Sequence, residues 1–281
     1  MKKRIIGVFL AAIAVCAAVG SAFFINDNDR IPVINGENDI EVNDSYSRLE
    51  TKMSGWGIKK NKNAPPDLPD NIKSMLPKYD SYYMDTRENK NLYLTFDEGY
   101  ENGYTAQILD TLKKCNVKAA FFVTKPYLEK ETELVKRMIE EGHIVGNHTM
   151  NHPDMTTLTT EKIKEELGGL NKIYNELTGA DMKYMRPPEG AFSEKVLAVA
   201  KDLGYKTIFW SFAYKDWDVK NLKGADYAYN QTIPYLHNGA ILLLHAVSKD
   251  NADALERIIN YAVGEGYTFC SLDELSLEDT Q

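Results

Sequence analysis

Leu92-Tyr93-Leu94-Thr95-Phe96-Asp97-Glu98-Gly99-Tyr100-Glu101 is the stretch from which the rest of the chain can be read. Leu92, Leu94 and Phe96 alternate with Tyr93 and Thr95, and the run then stops at two adjacent carboxylates and a glycine. That pattern predicts a strand over 92–96 that emerges into a loop at Asp97-Glu98. An acidic pair before glycine is by itself only a turn signal. Its place at a strand end, with the two side chains pointing to different sides, makes it a candidate site.

Working outward, strands and helices alternate with little slack. A helix is predicted over 104–114, with Ile108, Leu109 and Leu112 on one face. The run 117–123 is continuously apolar through Ala119, Ala120, Phe121 and Phe122, as suits a parallel strand covered on both faces. A helix over 127–141 ends at Gly142, and a short strand covers 143–147. A long helix opens at Thr159 or Thr160 as cap, with Ile163, Leu167, Leu170, Ile173, Tyr174 and Leu177 at helical spacing. Strands over 183–185, 207–211, 240–244 and 267–270 alternate with helices over 193–203, 226–236 and 251–263. Seven strands in this rhythm predict an α/β fold, a closed or nearly closed barrel. Asp97-Glu98, His148/His152, Arg186, Asp216-Trp217 and His245 all follow predicted strands, on the edge where such barrels carry their sites.

The flanks read differently. Met1-Lys2-Lys3-Arg4 followed by an apolar run predicts that 1–25 is a secretory leader or a membrane anchor, and that the remainder is exported. Residues 26–51 are polar and lack periodicity, as a flexible tether would be. Residues 52–90, containing Gly55-Trp56-Gly57 and Pro65-Pro66, make an irregular lead-in packed on a domain over 91–276, with Trp56 against that domain. A formal net charge of -8 in 281 residues disfavours nucleic acid or an acidic lipid surface as partner. Cys115 and Cys270 are expected to be buried free thiols.

His148 and His152 stand four residues apart, a spacing that lets two neutral imidazoles share a divalent metal, although alone it is a weak signal. Thr149 occupies the position where a metalloprotease would need glutamate. A third ligand would come from Glu98 or Asp97. Arg186, before Pro187-Pro188, is either a surface ion-pair partner or the group that orients and keeps ionised a catalytic carboxylate, Asp97 being the candidate. Trp217 is core or a flat wall for a sugar or its acetyl group. His245, after Ile241-Leu242-Leu243-Leu244, is a core histidine or, beside Asp216, an imidazole held protonated as an acid. His143 and His237 read as structural.

Five runs taken in order, Thr95-Phe96-Asp97-Glu98-Gly99, His148-Thr149-x-x-His152-Pro153, Arg186-Pro187-Pro188-Glu189-Gly190, Asp216-Trp217 and Leu243-Leu244-His245, resemble the motifs of the polysaccharide deacetylases with a NodB-type domain, carbohydrate esterase family 4. The wider sequence is similar to the branch of delta-lactam-biosynthetic de-N-acetylases, which act on peptidoglycan muramic acid. The resemblance implies a distorted (β/α)7 barrel and hydrolysis of an N-acetyl amide. It implies Asp97 as general base oriented by Arg186, and His245 supported by Asp216 as general acid. It further implies a divalent metal, zinc by preference, held by His148, His152 and Glu98, with Trp217, Leu243, Pro188 and Tyr100 lining the substrate site. Glu98 stands where the family usually has aspartate. Peptidoglycan glycan strands are the implied partner, acted on by a monomer after an amidase has removed peptide stems. Deacetylation of N-acetylglucosamine is the nearest alternative. A glycoside hydrolase using Asp97 with Glu189 or Asp216, and a non-catalytic wall-binding module, are the readings from other classes.

Overall fold

The fold is built on a sheet of eight strands, all paired in parallel, in a computed structural model that describes residues 46–87 and 89–275. The strands are Ser81–Tyr82 (β1), Asn91–Glu98 (β2), Ala119–Val123 (β3), Ile144–Asn147 (β4), Tyr184–Met185 (β5), Lys206–Ile208 (β6), Ala240–His245 (β7) and Thr268–Phe269 (β8). Their order is β7-β2-β3-β4-β5-β6-β1, with β8 beside the start of β2. Beyond β6 the chain curls back towards β7, because Phe212 bridges Leu242 and the Leu243 N–H donates to the Phe212 carbonyl. The result is a curled, barrel-like α/β sheet.

Helices Thr105–Cys115 (α1), Lys125–Lys130 (α2), Thr132–Glu140 (α3), Thr160–Thr178 (α4), Glu194–Asp202 (α5), Ala225–Thr232 (α6) and Lys249–Gly264 (α7) join the strands. Local chemistry sets their ends. The Thr159 hydroxyl accepts the Lys162 N–H to open α4, and Gly179 closes it in the left-handed conformation that glycine adopts without strain. Alternation along β2 divides the core into two layers. Leu92, Leu94 and Phe96 pack outward under the helices with Ile108, Leu112 and Leu128, while Tyr93 faces inward with Phe122, Tyr184, Ile241 and Leu243. Gly146 on β4 has no side chain because a Cβ there would lie 2.6 Å from the Phe122 ring.

Several sequence expectations are corrected. Asp97 and Glu98 are the last two residues of β2 rather than a loop after it, since both keep β pairing with β3. The helix expected over 127–141 is two helices, broken where Glu131 leaves helical geometry at ψ 35°. The strand expected over 207–211 stops at Ile208, and the helix over 226–236 finishes as a 3₁₀ turn, Ile233–Tyr235. The lead-in is not irregular. It supplies β1, and its Ser54–Gly55 pairs antiparallel with Ala191–Phe192. Trp56 is buried as expected, donating to the Trp210 carbonyl at 2.8 Å and stacking on Phe209. Cys115 and Cys270 are free thiols, Cys270 buried and Cys115 partly so. The leader or anchor at 1–25 and most of the tether at 26–51 lie outside the described residues, among which no helix is long and apolar enough to cross a membrane.

Candidate active site

Register brings the polar clusters together at the carboxyl ends of the strands. β2 and β7 pair with His245 opposite Asp97, and with Leu243 opposite Thr95 one step deeper. Asn147 pairs with Met185 and accepts the Arg186 N–H, which places Arg186 beside His148. Asp97, His148, Arg186 and His245 therefore meet although 148 residues separate the first from the last.

Arg186 is fully buried, and each of its three guanidinium nitrogens donates a hydrogen bond. Nη1 donates to Asp97 Oδ1 at 2.8 Å, Nη2 to Thr95 Oγ1 at 2.9 Å and Phe209 O at 3.3 Å, and Nε to Ile208 O at 2.9 Å. Its plane lies over the Phe122 ring at 4.2 Å. Burial pushes the Asp97 carboxyl up, but Arg186, with His148 and His245, outweighs burial and holds it below the ordinary carboxylate value. The surface-pair reading of Arg186 is thereby excluded.

His148 Nδ1 donates to the Arg186 carbonyl at 2.9 Å in the tautomer that leaves the Nε2 lone pair facing Asp97 Oδ2 at 3.6 Å, too long for a hydrogen bond. Burial lowers its pKa to about 4, so the ring is neutral. The His152 ring lies 4.9 Å away, centroid to centroid, at the surface. The connecting turn is tightly wound. Thr149 and His152 both take positive φ, the Asn147 side-chain oxygen accepts the Thr149 N–H, and the Thr149 hydroxyl accepts the His152 N–H. Two adjacent imidazoles, with the Nε2 lone pair of neutral His148 turned towards a carboxylate, suit a divalent metal.

Glu98 does not complete that set. It faces the opposite side of β2 from Asp97, beneath α1 and α2, where Thr105 Oγ1 donates to Glu98 Oε1 at 3.4 Å and Oε2 has no hydrogen-bond partner among the described residues. The neighbouring Glu101 accepts the Gly103 N–H and the Thr105 hydroxyl at the start of α1. Burial, then the charges of Glu101 and Asp97, raise the Glu98 pKa well above the ordinary value. No group of three or more His, Cys, Asp or Glu side chains among the described residues is arranged to hold a metal ion. The expectation of Glu98 as third ligand is corrected, for the alternation of the strand sends its carboxyl into the helix layer.

His245 is held by Asp216, whose Oδ1 accepts from Nδ1 at 2.7 Å and whose Oδ2 accepts the His245 N–H at 2.8 Å. Burial pulls the imidazole pKa down, but the Asp216 carboxylate outweighs it and the net shift is upward. Trp217 is exposed at the rim with Lys215 above its ring, Leu243 is buried below His245, and Pro188 is buried in the turn after Arg186. Tyr100, half exposed, lines a cleft of about 360 Å³ with Gly99, Thr124, Met150 and His152. Asp97 is committed to Arg186 and Asp216 to His245, and Glu189 is exposed, so neither carboxylate pair is disposed for glycosidase chemistry. His143 and His237 are buried away from this cluster.

Sequence reasoning missed two polar residues that shape the site, Asn147 and Asn251. Asn147 ties the histidine turn to α4 through Leu167 O and to Tyr205. An asparagine at the end of an apolar strand was the available signal for it. Asn251 lies in the run His245–Asn251 that is similar to the muramic acid de-N-acetylase branch, but no local pattern assigned it a role, because its partners come from distant elements.

Residues 84–208 match the family model of the polysaccharide deacetylases. The chain is 49% identical over 225 residues to the peptidoglycan-N-acetylmuramic acid deacetylase PdaA of Bacillus subtilis, covering 79% of this chain and 86% of that protein. The structure of B. subtilis PdaA, a family 4 carbohydrate esterase, superposes with a TM-score of 0.79 at 47% identity, covering 81% of this chain and 98% of that one. A family 4 carbohydrate esterase from Bacillus anthracis superposes with a TM-score of 0.68 at 42% identity, covering 81% and 97%.

Proposed function

This chain belongs to the polysaccharide deacetylase family, hydrolases of carbon–nitrogen amide bonds, and on that premise we propose that it removes the acetyl group from N-acetylmuramic acid in peptidoglycan. The likeness to PdaA supports that substrate. The observation that carries the mechanism is the pairing of Asp97 with His245 across β2 and β7, the one fixed by Arg186 and the other by Asp216. Two titratable groups whose surroundings push them in opposite directions supply a base and an acid at one pH.

Asp97, kept ionised by Arg186, takes a proton from the attacking water as its oxygen adds to the acetamido carbon. His245, whose protonated form the Asp216 carboxylate favours, gives its proton to the nitrogen as the C–N bond breaks, leaving acetate and a free amino sugar. Asp97 then returns its proton to solvent and His245 takes one up from solvent, which restores both groups. The family is generally metal-dependent, and a divalent metal, when bound at His148 and His152, supplies Lewis acidity to the carbonyl and the water. Leu243 and Trp217 bound the acetyl group, while Tyr100 and the cleft beside His152 receive the neighbouring glycan. Export through residues 1–25, action as a monomer on strands stripped of peptide stems, and a place in spore-cortex muramic δ-lactam formation complete the reading. They rest on the leader-like N-terminus and the motif resemblance.

The test is mass spectrometry of glycan strands, with and without peptide stems, after incubation with metal-loaded and chelator-treated protein. Loss of acetyl from muramic residues is expected, and Asp97→Asn or His245→Ala should slow it by about 100-fold or more. Acetyl loss from glucosamine residues alone, or normal turnover in both variants, overturns the reading.

A further inference from the structure

Asn251 sits in the first turn of α7 and is 1% exposed, and its side chain hydrogen-bonds to Tyr214, Asp216 and the His245 backbone. Its Nδ2 donates to Asp216 Oδ2 at 2.6 Å and to the His245 backbone carbonyl at 3.1 Å. Its Oδ1 accepts the Tyr214 hydroxyl, which fixes which end of the amide faces Asp216. The neighbouring Asp250 accepts the Lys223 N–H at 2.6 Å, so the loop that carries Asp216 is fastened to the start of α7 at two points. Asp216 itself lies on irregular chain between β6 and α6. Two of its donors belong to His245, the residue it is meant to aim. The third, from Asn251, comes from outside His245 and ties the carboxylate to the first turn of α7.

We propose that Asn251 is a positioning residue for protonation of the leaving amine, setting the plane of the Asp216 carboxylate and through it the direction of the His245 imidazole. Tyr214 acts one step further out by holding the Asn251 amide in register. The inference rests on His245 as the acid. A proton donor works only when aimed at the nitrogen it serves, so losing the aim sacrifices part of the roughly 100- to 10,000-fold that general acid catalysis provides.

A bond that breaks without protonation separates aim from mere folding. 4-Nitrophenyl acetate has a leaving group that departs as the anion, whereas the acetylated glycan must be protonated at nitrogen. The ratio of glycan to aryl-ester turnover is measured for the full chain, Asn251→Ala, Tyr214→Phe and His245→Ala, with KM for each. Asn251→Ala is expected to lower the ratio about tenfold or more through kcat. Tyr214→Phe should lower it less, and Asn251→Ala should add nothing in a His245→Ala background. If the ratio in Asn251→Ala is that of the parent, whether both rates fall together or neither moves, the inference is overturned. If His245→Ala also leaves the ratio unmoved, the acid reading has failed with it. If His245→Ala collapses the ratio while Asn251→Ala does not, the inference alone has failed. Should Asn251→Ala not fold, Tyr214→Phe, which removes one hydroxyl, decides by the same ratio.

Discussion

Replacing Arg186 by methionine should cost this fold far more than an average substitution, and in a way that a second mutation repairs. The guanidinium is fully buried and donates four hydrogen bonds, to Asp97, Thr95, Ile208 O and Phe209 O. Methionine restores much of the volume over Phe122 but none of the donors, leaving the Asp97 carboxylate buried without its counter-charge. Breaking a buried pair in this way costs about 3–5 kcal/mol, and the two orphaned carbonyls add on the order of 1 kcal/mol. The expected loss is about 4–6 kcal/mol out of a typical 5–15, which lowers Tm by roughly 10–20 °C in a domain of this size. Adding Asp97→Asn removes the stranded charge and should recover about 2–3 kcal/mol. Urea unfolding followed by circular dichroism measures both, provided the slope m is unchanged. An Arg186→Met protein within about 1 kcal/mol of the parent, or a double variant no more stable than the single one, would refute the reasoning.

Two further outcomes follow from other buried groups. His143 Nδ1 accepts the Ala119 N–H at 3.2 Å, its Nε2 lies 3.9 Å from Glu141 Oε2 with no hydrogen-bond partner among the described residues, and burial lowers its pKa to about 4. The unfolded chain takes up that proton near pH 6.5 and the folded one only near 4. Stability therefore rises with pH across this window and is lost as pH falls through it, by up to about 3 kcal/mol. His143→Gln should make urea midpoints measured between about pH 7 and about pH 5 less pH-dependent, and an unchanged slope would exclude the effect. Glu98→Gln, in the helix layer, should change zinc affinity by calorimetry less than about twofold, whereas His148→Ala should lower it about tenfold or more. A tenfold loss in Glu98→Gln would return that side chain to the metal site.

Much of the site was legible before any fold was known, because strand ends write themselves into sequence. Apolar runs stopping at Asp97, Asn147-His148, Met185-Arg186 and Leu244-His245 locate the carboxyl edge of the sheet by composition alone. Where the reading failed, it failed on features that local pattern does not encode. Ser81–Tyr82 is too short to signal a strand and exists because β6 offers it a free edge. The break at Glu131 lies inside a run whose apolar spacing stays helical. Glu98 had the right charge and the right neighbour, yet strand alternation turns it to the far side, as the period of two requires once Asp97 is fixed inward.

The sequence by itself determined the alternating α/β pattern, the placing of the polar residues at strand ends and their order along the chain, since periodicity and side-chain chemistry are local properties. The tertiary structure alone decided which of them meet. Strand order sets Asp97 against His245, the curl of the sheet brings Arg186 across to Asp97, and the docking of α7 delivers Asn251 to Asp216. The physical reason is that a hydrogen bond depends on distances of about 3 Å, and those are fixed by the packing of elements far apart in the chain.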